Sequence, residues 1–240
     1  MKSILQQQYF YPTWLGIFVN PFFFARSGLV KAISGQSSQL SGKLLDIGCG
    51  SKPYQSLFCV DQYIGLDINS EHSRKRAAAD YFYEGDIFPF ETASFDSALC
   101  NQVLEHVFNP NSFLSEIHRV LKADGKLLLT VPFIWDEHEQ PFDYARYSSF
   151  GLKALLEQNG FIITYHQKIG TDVSTLFQLI NAYLYKVTEG WPRHPRFIFT
   201  ISVMGLINLL GIIAKHMLPQ NPDLFLDQLV IAEKNKKCAF

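Results

Sequence analysis

The sequence is short of charge, and neither sign dominates. Charged residues make up 18% of the 240 positions, with 21 Lys and Arg against 22 Asp and Glu and a formal net charge of −1. A chain that grips nucleic acid by neutralising phosphates needs a surplus of cations, so no nucleic-acid partner is expected. Cysteine is sparse too. Cys49, Cys59, Cys100 and Cys238 form no C-x-x-C pair, and no His sits at a zinc-finger offset. That excludes a disulfide framework and a structural zinc, and free thiols suit a reducing, cytoplasmic setting. Internal repeats and low-complexity tracts are absent. Lys2 alone precedes the first apolar stretch, and Pro12 and Pro21 interrupt it, so a secretory signal is not expected. An apolar content of 48% excludes disorder as the main description, and the length suits one domain over residues 1–240.

What is present falls into segments. Residues 1–41 are apolar and aromatic, with no charge between Ser3 and Ala25. Residues 43–167 alternate short apolar runs with helical patterns. Residues 169–222 read as two helices, and 228–232 as a last short strand. Within the middle segment the apolar runs at 43–47, 62–67, 81–86, 94–100, 125–131 and 161–165 read as strands. Asn109 and Pro110 open a helix with Phe113, Ile117, Val120 and Leu121 on one face. Ser148 or Ser149 caps another, with Leu152, Leu155 and Leu156 as its apolar stripe and Asn159 with Gly160 as its stop. Strands alternating with helices predict a Rossmann-like α/β sheet, mostly parallel, with helices on both faces. Ligands bind such sheets at the carboxyl ends of the strands.

Those ends carry a consistent set of residues. The first strand runs into Asp46, Gly48, Cys49 and Gly50, where glycine lets backbone approach a ligand. The second ends at Asp67 and Ile68, and a carboxylate there can accept both hydroxyl protons of a ribose. The third ends at Gly85, Asp86 and Ile87, suited to an adenine amine and ring. The fourth ends at Asn101. A dinucleotide fingerprint needs a third glycine where Pro53 stands, which disfavours a nicotinamide oxidoreductase. Asp46, two residues ahead of the first glycine, would repel a pyrophosphate and suit an ammonium.

In these motifs the chain resembles the class I S-adenosylmethionine-dependent methyltransferases of the Asp-x-Gly-Cys-Gly subgroup. The resemblance covers roughly residues 43–165, includes the stretch 95–107 with its Glu105 and His106, and includes the turn 121–129, where Ala123 and Asp124 replace the usual Pro and Gly. It implies a seven-stranded sheet with an antiparallel last strand, a helical insertion at 169–222 before that strand, and S-adenosylmethionine as cofactor. It implies that Asp46, Gly48, Cys49 and Gly50 shape the methionine loop, that Asp67 and Ile68 meet the ribose, that Asp86 and Ile87 meet the adenine, and that Asn101 backs the site. The expected reaction is methyl transfer to a hydroxyl or carboxyl oxygen of a small-molecule, glycan or lipid-linked acceptor. A regulatory or scaffold protein that binds S-adenosylmethionine without turnover is the alternative of a different class.

For a hydroxyl acceptor the chain must supply a base. The stretch after the fifth strand holds His138, Asp143, Arg146 and Tyr147. His138 is the candidate base, with Arg146 and Tyr147 beside it. Arg146 could instead grip an anionic acceptor, or pair with Asp143 structurally. His106 is a second candidate base, with packing as its plainer role. Asp136, Glu137, His138 and Glu139 are adjacent and point in different directions, so no metal site is assigned. Cys49 and Cys100 read as packed thiols.

The apolar ends remain. Val173, Leu176, Phe177, Ile180, Tyr183, Leu184 and Val187 recur at helical spacing. Residues 197–214 carry no charge and are flanked by Arg193, Arg196 and Lys215. That length is near the lower limit for a span, and the chain must rejoin the sheet soon after, so a helix in the membrane interface fits better than a crossing. A membrane surface or a second copy of the chain is the expected partner through 169–222, and the location is cytoplasmic with membrane association left open. A lid over the acceptor pocket fits the same residues.

Overall fold

A computed structural model describes residues 4–76, 78–85 and 87–235; Asp86 and Cys238 lie outside the described residues. The chain forms two compact units. One comprises residues 33–133, 137–167 and 228–240 and holds the sheet; the other comprises residues 1–32, 134–136 and 168–227 and is helical.

The sheet has seven strands: β1 (Lys43–Ile47), β2 (Gln62–Ile68), β3 (Tyr81–Tyr83), β4 (Phe95–Asn101), β5 (Leu121–Pro132), β6 (Phe161–Ile169) and β7 (Asp227–Lys234), in the order β3-β2-β1-β4-β5-β7-β6. The pairs β1–β2, β1–β4, β2–β3 and β4–β5 are parallel. β7 is antiparallel. Hydrogen bonds from Asn235 N to Gly160 O (2.9 Å) and from Thr164 Oγ1 to Ile231 O (3.3 Å) set its register against β6. This is the Rossmann-like architecture expected from the sequence. The order reverses at β1, so the β1 and β4 ends flank the switch point where such sheets bind ligands.

The strands are near-continuous apolar runs because both faces are covered. Leu44, Leu45 and Ile47 of β1 and Leu127, Leu128 and Leu129 of β5 are fully buried. Helix α5 (Pro110–Val120) buries Phe113, Leu114, Ile117 and Val120. Helix α6 (Ser149–Gln158) buries Leu152 and Leu156, and its N-cap Ser148 accepts a hydrogen bond from Gly151 N at 3.2 Å. Short helix α4 (Glu71–Arg76) follows β2. β5 starts earlier than the apolar run suggests. Leu121 already pairs with Phe95, and the register then shifts before Lys126 pairs with Ser97. Asp124 takes φ 62° in that bulge, a left-handed conformation that Asp tolerates better than most residues. β3 ends sooner than expected, at Tyr83, and β6 runs on to Ile169 because polar residues 165–168 pair with β7 rather than reach the core.

The helical unit contains α1 (Ile4–Phe10), α2 (Gly16–Val19), the first part of α3 (Phe23–Gln36), α7 (Ser174–Val187), α8 (Arg193–Phe199) and α9 (Gly205–Met217), the last two joined through a π-helical stretch at Thr200–Met204. Buried amides hold it. Gln178 Oε1 accepts from Phe24 N (3.0 Å) and Ala25 N (3.1 Å), satisfying the open end of α3. Asn208 Nδ2 donates to Ile17 O at 2.8 Å, and Asn181 Nδ2 donates to Asn208 Oδ1 at 2.9 Å.

Leu129 is fully buried in the sheet's main core. Leu129→Ala should lower the unfolding free energy by about 3 kcal/mol, read by urea denaturation followed by circular dichroism. A loss under about 1 kcal/mol would mean that this core is loosely packed.

Candidate functional site

The glycine turn after β1 is fastened to β2. Gly48 N and Cys49 N both donate to Leu66 O, at 2.8 and 3.1 Å. Gly50 N donates to Asp67 Oδ2 at 3.0 Å, while Asp67 Oδ1 accepts from Ile68 N (2.8 Å) and Ser73 Oγ (3.0 Å). Gly48 has φ 66°, and a side chain there would run into Val103 of the segment after β4. The turn therefore needs glycine twice over, for its conformation and for close approach.

Asp46 is buried, and its Oδ2 accepts a hydrogen bond from Tyr63 Oη at 2.7 Å. Burial pushes its carboxyl up to about 7, with the Tyr63 hydroxyl and the Lys52 ammonium opposing the rise only in part. A cationic group arriving beside it would favour the ionised form. Cys49 is buried, and burial pushes its thiol up to about 12. Ile68 and Ile87 are exposed apolar side chains, suited to cover a flat ring. Asp67 still has acceptor capacity on Oδ2. Asn101 Oδ1 is held by Thr130 Oγ1 at 2.8 Å, which leaves its amide nitrogen as the donor. The described residues of this end of the sheet thus fit an adenosyl ligand that carries a free ammonium.

Two residues here were not anticipated. Lys52 has φ 50° and forms an ion pair with Asp80 at 2.5 Å, and Asp80 also accepts from Gly65 N at 2.7 Å. A bulky side chain at position 65 would collide with Lys52. The sequence signal was a cation two residues after Gly50.

The second half of the site lies at the ends of β4 and β5. Val103, against Gly48, leads into the buried Glu105 and into His106. Glu105 O accepts from Tyr144 N (2.8 Å) and Ala145 N (3.2 Å), which docks the segment after β5 onto the segment after β4. The rings of His106 and His138 meet edge to face at 4.7 Å. His106 Nδ1 lies 2.7 Å from Phe142 O, so Nδ1 carries the proton and Nε2 the lone pair. His138 Nδ1 lies 3.3 Å from Asp143 Oδ2, and His138 N donates to the same oxygen at 2.9 Å. Arg146 grips Asp143 with both Nη1 (2.6 Å) and Nη2 (2.7 Å). Burial alone would raise the Asp143 carboxyl, but Arg146, the His138 N–H and the imidazole outweigh it and hold it at about 2. Arg146 is therefore engaged with Asp143, and the reading in which its fork grips an anionic acceptor does not fit this geometry. Tyr147 is half-buried, and burial together with the nearby Glu105 raises its hydroxyl above the usual value.

Residues 136–139 do not converge into a metal set. The fold instead brings Glu105, His106 and His138 together, each with one ligand atom within 4.8 Å of the others, and this set could take a divalent cation.

Asp143→Asn should cost about 2 kcal/mol of stability at neutral pH, since it leaves a mostly buried guanidinium unpaired. The native carboxyl is depressed from 3.8 to about 2, so its stabilisation is present above pH 3.8 and is lost as pH falls towards 2. The gap between parent and variant in urea unfolding should shrink as pH drops below that value. A gap that stays constant would argue against the ion pair.

A methyltransferase-domain family model matches residues 45–129. The chain is 28% identical over 162 residues to the O-methyltransferase rstn1 of Aspergillus nomiae, covering 57% of this chain and 72% of that protein. It is 34% identical over 93 residues to the uncharacterized protein MJ1123 of Methanocaldococcus jannaschii, covering 38% of this chain and 44% of that protein. The chain thus spans about two fifths of the length of several curated relatives from that organism. Among solved structures, the [4+2]-cyclase SpnF superposes with a TM-score of 0.57 at 18% identity, over 86% of this chain and 80% of that one. That superposition establishes the fold alone. Residues 45–129 thus match a methyltransferase domain, carried on the strand order of a Rossmann-like methyltransferase fold.

Proposed function

We propose that this chain transfers a methyl group from S-adenosylmethionine to a hydroxyl oxygen of its acceptor, with His138 as the base. The observation that carries the reading is the His138–Asp143–Arg146 arrangement beside His106, on the segment that follows the matched methyltransferase domain. S-adenosylmethionine, when bound, supplies an electrophilic methyl group on a sulfonium. Asp46 receives the ammonium, Asp67 the ribose hydroxyls, and Ile68 and Ile87 cover the adenine, with Asp86 as the amine acceptor expected from the sequence. The backbone of Gly48 and Gly50 gives the ligand room.

His138 then takes the hydroxyl proton at Nε2. Asp143 orients its ring through Nδ1 and stabilises the imidazolium that forms, as the carboxylate of a catalytic triad does. Arg146 positions Asp143. Tyr147 and His106 wall the same end. A carboxyl acceptor needs no base, so this geometry favours a hydroxyl on a small-molecule, glycan or lipid-linked acceptor. The O-methyltransferase rstn1 among the relatives supports an oxygen acceptor. A second reading is favoured by the convergence of Glu105, His106 and His138: a divalent cation there would bind the acceptor oxygen and lower its pKa in place of a base.

Two outcomes check the proposal. His138→Gln should lower turnover about 10²- to 10⁴-fold while S-adenosylmethionine still binds in calorimetry; unchanged turnover would remove His138 from the chemistry. If chelation abolishes parental turnover and added zinc or magnesium restores it, the cation reading replaces the base reading. Separately, the native Asp46 carboxyl is raised from 3.8 to about 7, so in the ligand-free chain it favours the protonated form, and its contribution to stability falls as pH rises through that window. Cofactor binding should therefore release a proton near pH 6 and tighten as pH rises towards 8, and Asp46→Asn should weaken binding and abolish that dependence. Calorimetry in buffers of different ionisation enthalpy reads both, and pH-independent parental binding would contradict the ammonium assignment.

A further inference from the structure

Beside a small apolar cluster of Phe24, Ala25 and Leu226, with Phe177 and Ile212 packed on it, helices α7 and α9 turn polar and small residues inward and many apolar ones out. Helix α7 buries Ser174, Thr175, Gln178, Asn181 and Ala182, and leaves Leu176, Ile180, Tyr183 and Val187 exposed. Helix α9 buries Gly205, Asn208 and Gly211, and leaves Leu206, Leu209, Leu210 and Ile213 exposed. The apolar repeat at 173–187 thus faces largely outward, where an amphipathic helix in water would turn it to the core. In hydrocarbon the preference inverts, because burying Leu gains nothing and helices associate through small residues and amide hydrogen bonds. This pair packs in that manner. A Cβ on Gly211 would lie 2.7 Å from the Phe24 ring and 3.0 Å from Phe177 Cβ, so only glycine permits the approach. Asn181 and Asn208 share a buried hydrogen bond at 2.9 Å.

We infer that this face docks into one leaflet of an anionic lipid bilayer, with the helices in the membrane plane and Arg193 and Arg196 on lipid phosphates. Charge selects the bilayer over a second copy of the chain. The helical unit carries eight Lys and Arg against five Asp and Glu; Lys215 pairs with Asp172 at 3.9 Å, while Arg193 and Arg196 stand at the turn. Two such faces would repel, whereas an anionic leaflet is complementary. Trp14, Tyr183 and Trp191 are exposed in the same unit and suit head-group depth.

The orientation follows from the chain path. The helix Arg193–Met217 has 25 residues and is long and apolar enough to cross a membrane. Its antiparallel partner α7 has only 14, about 21 Å, which is too short to cross. The excursion also leaves and returns at one place, with Leu226 N donating to Ile169 O at 2.9 Å. Upright insertion would drag the turn residues Lys186, Glu189, Arg193 and Arg196 into hydrocarbon. Lying flat keeps both charged ends among the head groups.

A cavity of about 350 Å³ at the turn supplies the phosphate contact. It is lined by Tyr9, Tyr185, Trp191 and Phe197, with Arg193 and Arg196 among its residues and no carboxylate. The Arg196 guanidinium lies 4.2 Å from the Tyr185 ring centroid, and its Nη2 donates to Tyr185 O at 3.2 Å. Its remaining guanidinium N–H groups offer donors to a lipid phosphate oxygen.

The inference does not depend on methyl transfer, and its test reads binding alone. The full chain would be floated with vesicles of phosphatidylcholine, with and without phosphatidylglycerol. The parent should float with both and prefer the anionic ones. Leu206→Glu with Leu210→Glu, both at outward positions, should cut flotation at least tenfold with an unchanged circular dichroism spectrum. Arg193→Gln and Arg196→Gln should each reduce the preference for phosphatidylglycerol roughly fivefold. Independently of any variant, lipids brominated on their chains should quench the parent's tryptophan fluorescence. A parent that stays with the pellet and is not quenched would overturn the proposal. So would a dimer in detergent-free buffer that the Leu206 and Leu210 changes dissociate, since a second copy would then cover this face.

Discussion

The carboxylate of Asp67 holds the cofactor end of the sheet together. It sits buried at the carboxyl end of β2 and accepts from Gly50, Ile68 and Ser73, so one side chain ties the glycine turn, its own strand and the following helix α4 into one corner. A buried acceptor with several donors is costly to disturb, because each donor left behind loses its partner away from water. Gly48 then fits against Val103, and Val103 leads directly to Glu105 and His106. The position of the acceptor half is thus inherited from the position of the cofactor half.

The same device recurs after β5. Asp143 is nearly buried, and it holds the His138 backbone, the His138 ring and the Arg146 fork at once. A segment without regular structure acquires a defined shape because one carboxylate collects its donors, while Glu105 O anchors it from below. A side chain on such a segment is held as firmly as one on a strand.

The helical unit follows a different packing pattern. Helices α7 and α9 bury amides and glycines beside a small apolar cluster and leave many aliphatic side chains exposed. The sheet unit follows the aqueous rule, with Leu, Ile and Val inside. One chain carrying both patterns is explained if the two units meet different media, water for one and lipid for the other.

Periodicity determined most of the fold. Runs such as 43–47 and 125–131 are apolar at every position, which only a strand covered on both faces accommodates, and Asn109, Pro110 and Ser148 marked helix starts through backbone chemistry local to the chain. The candidate cofactor residues were legible for the same reason, since Asp46, Gly48, Gly50 and Asp67 sit within a few positions of strand ends. Tertiary structure alone decided three matters. It brought Glu105 and His106 against His138, residues more than thirty positions apart whose meeting depends on β4 lying beside β5. It engaged Arg146 with Asp143, a choice among partners that sequence leaves equal. And it turned the apolar stripe of α7 outward, because a 3.6-residue period shows that a helix has two faces but not which one finds protein and which finds solvent.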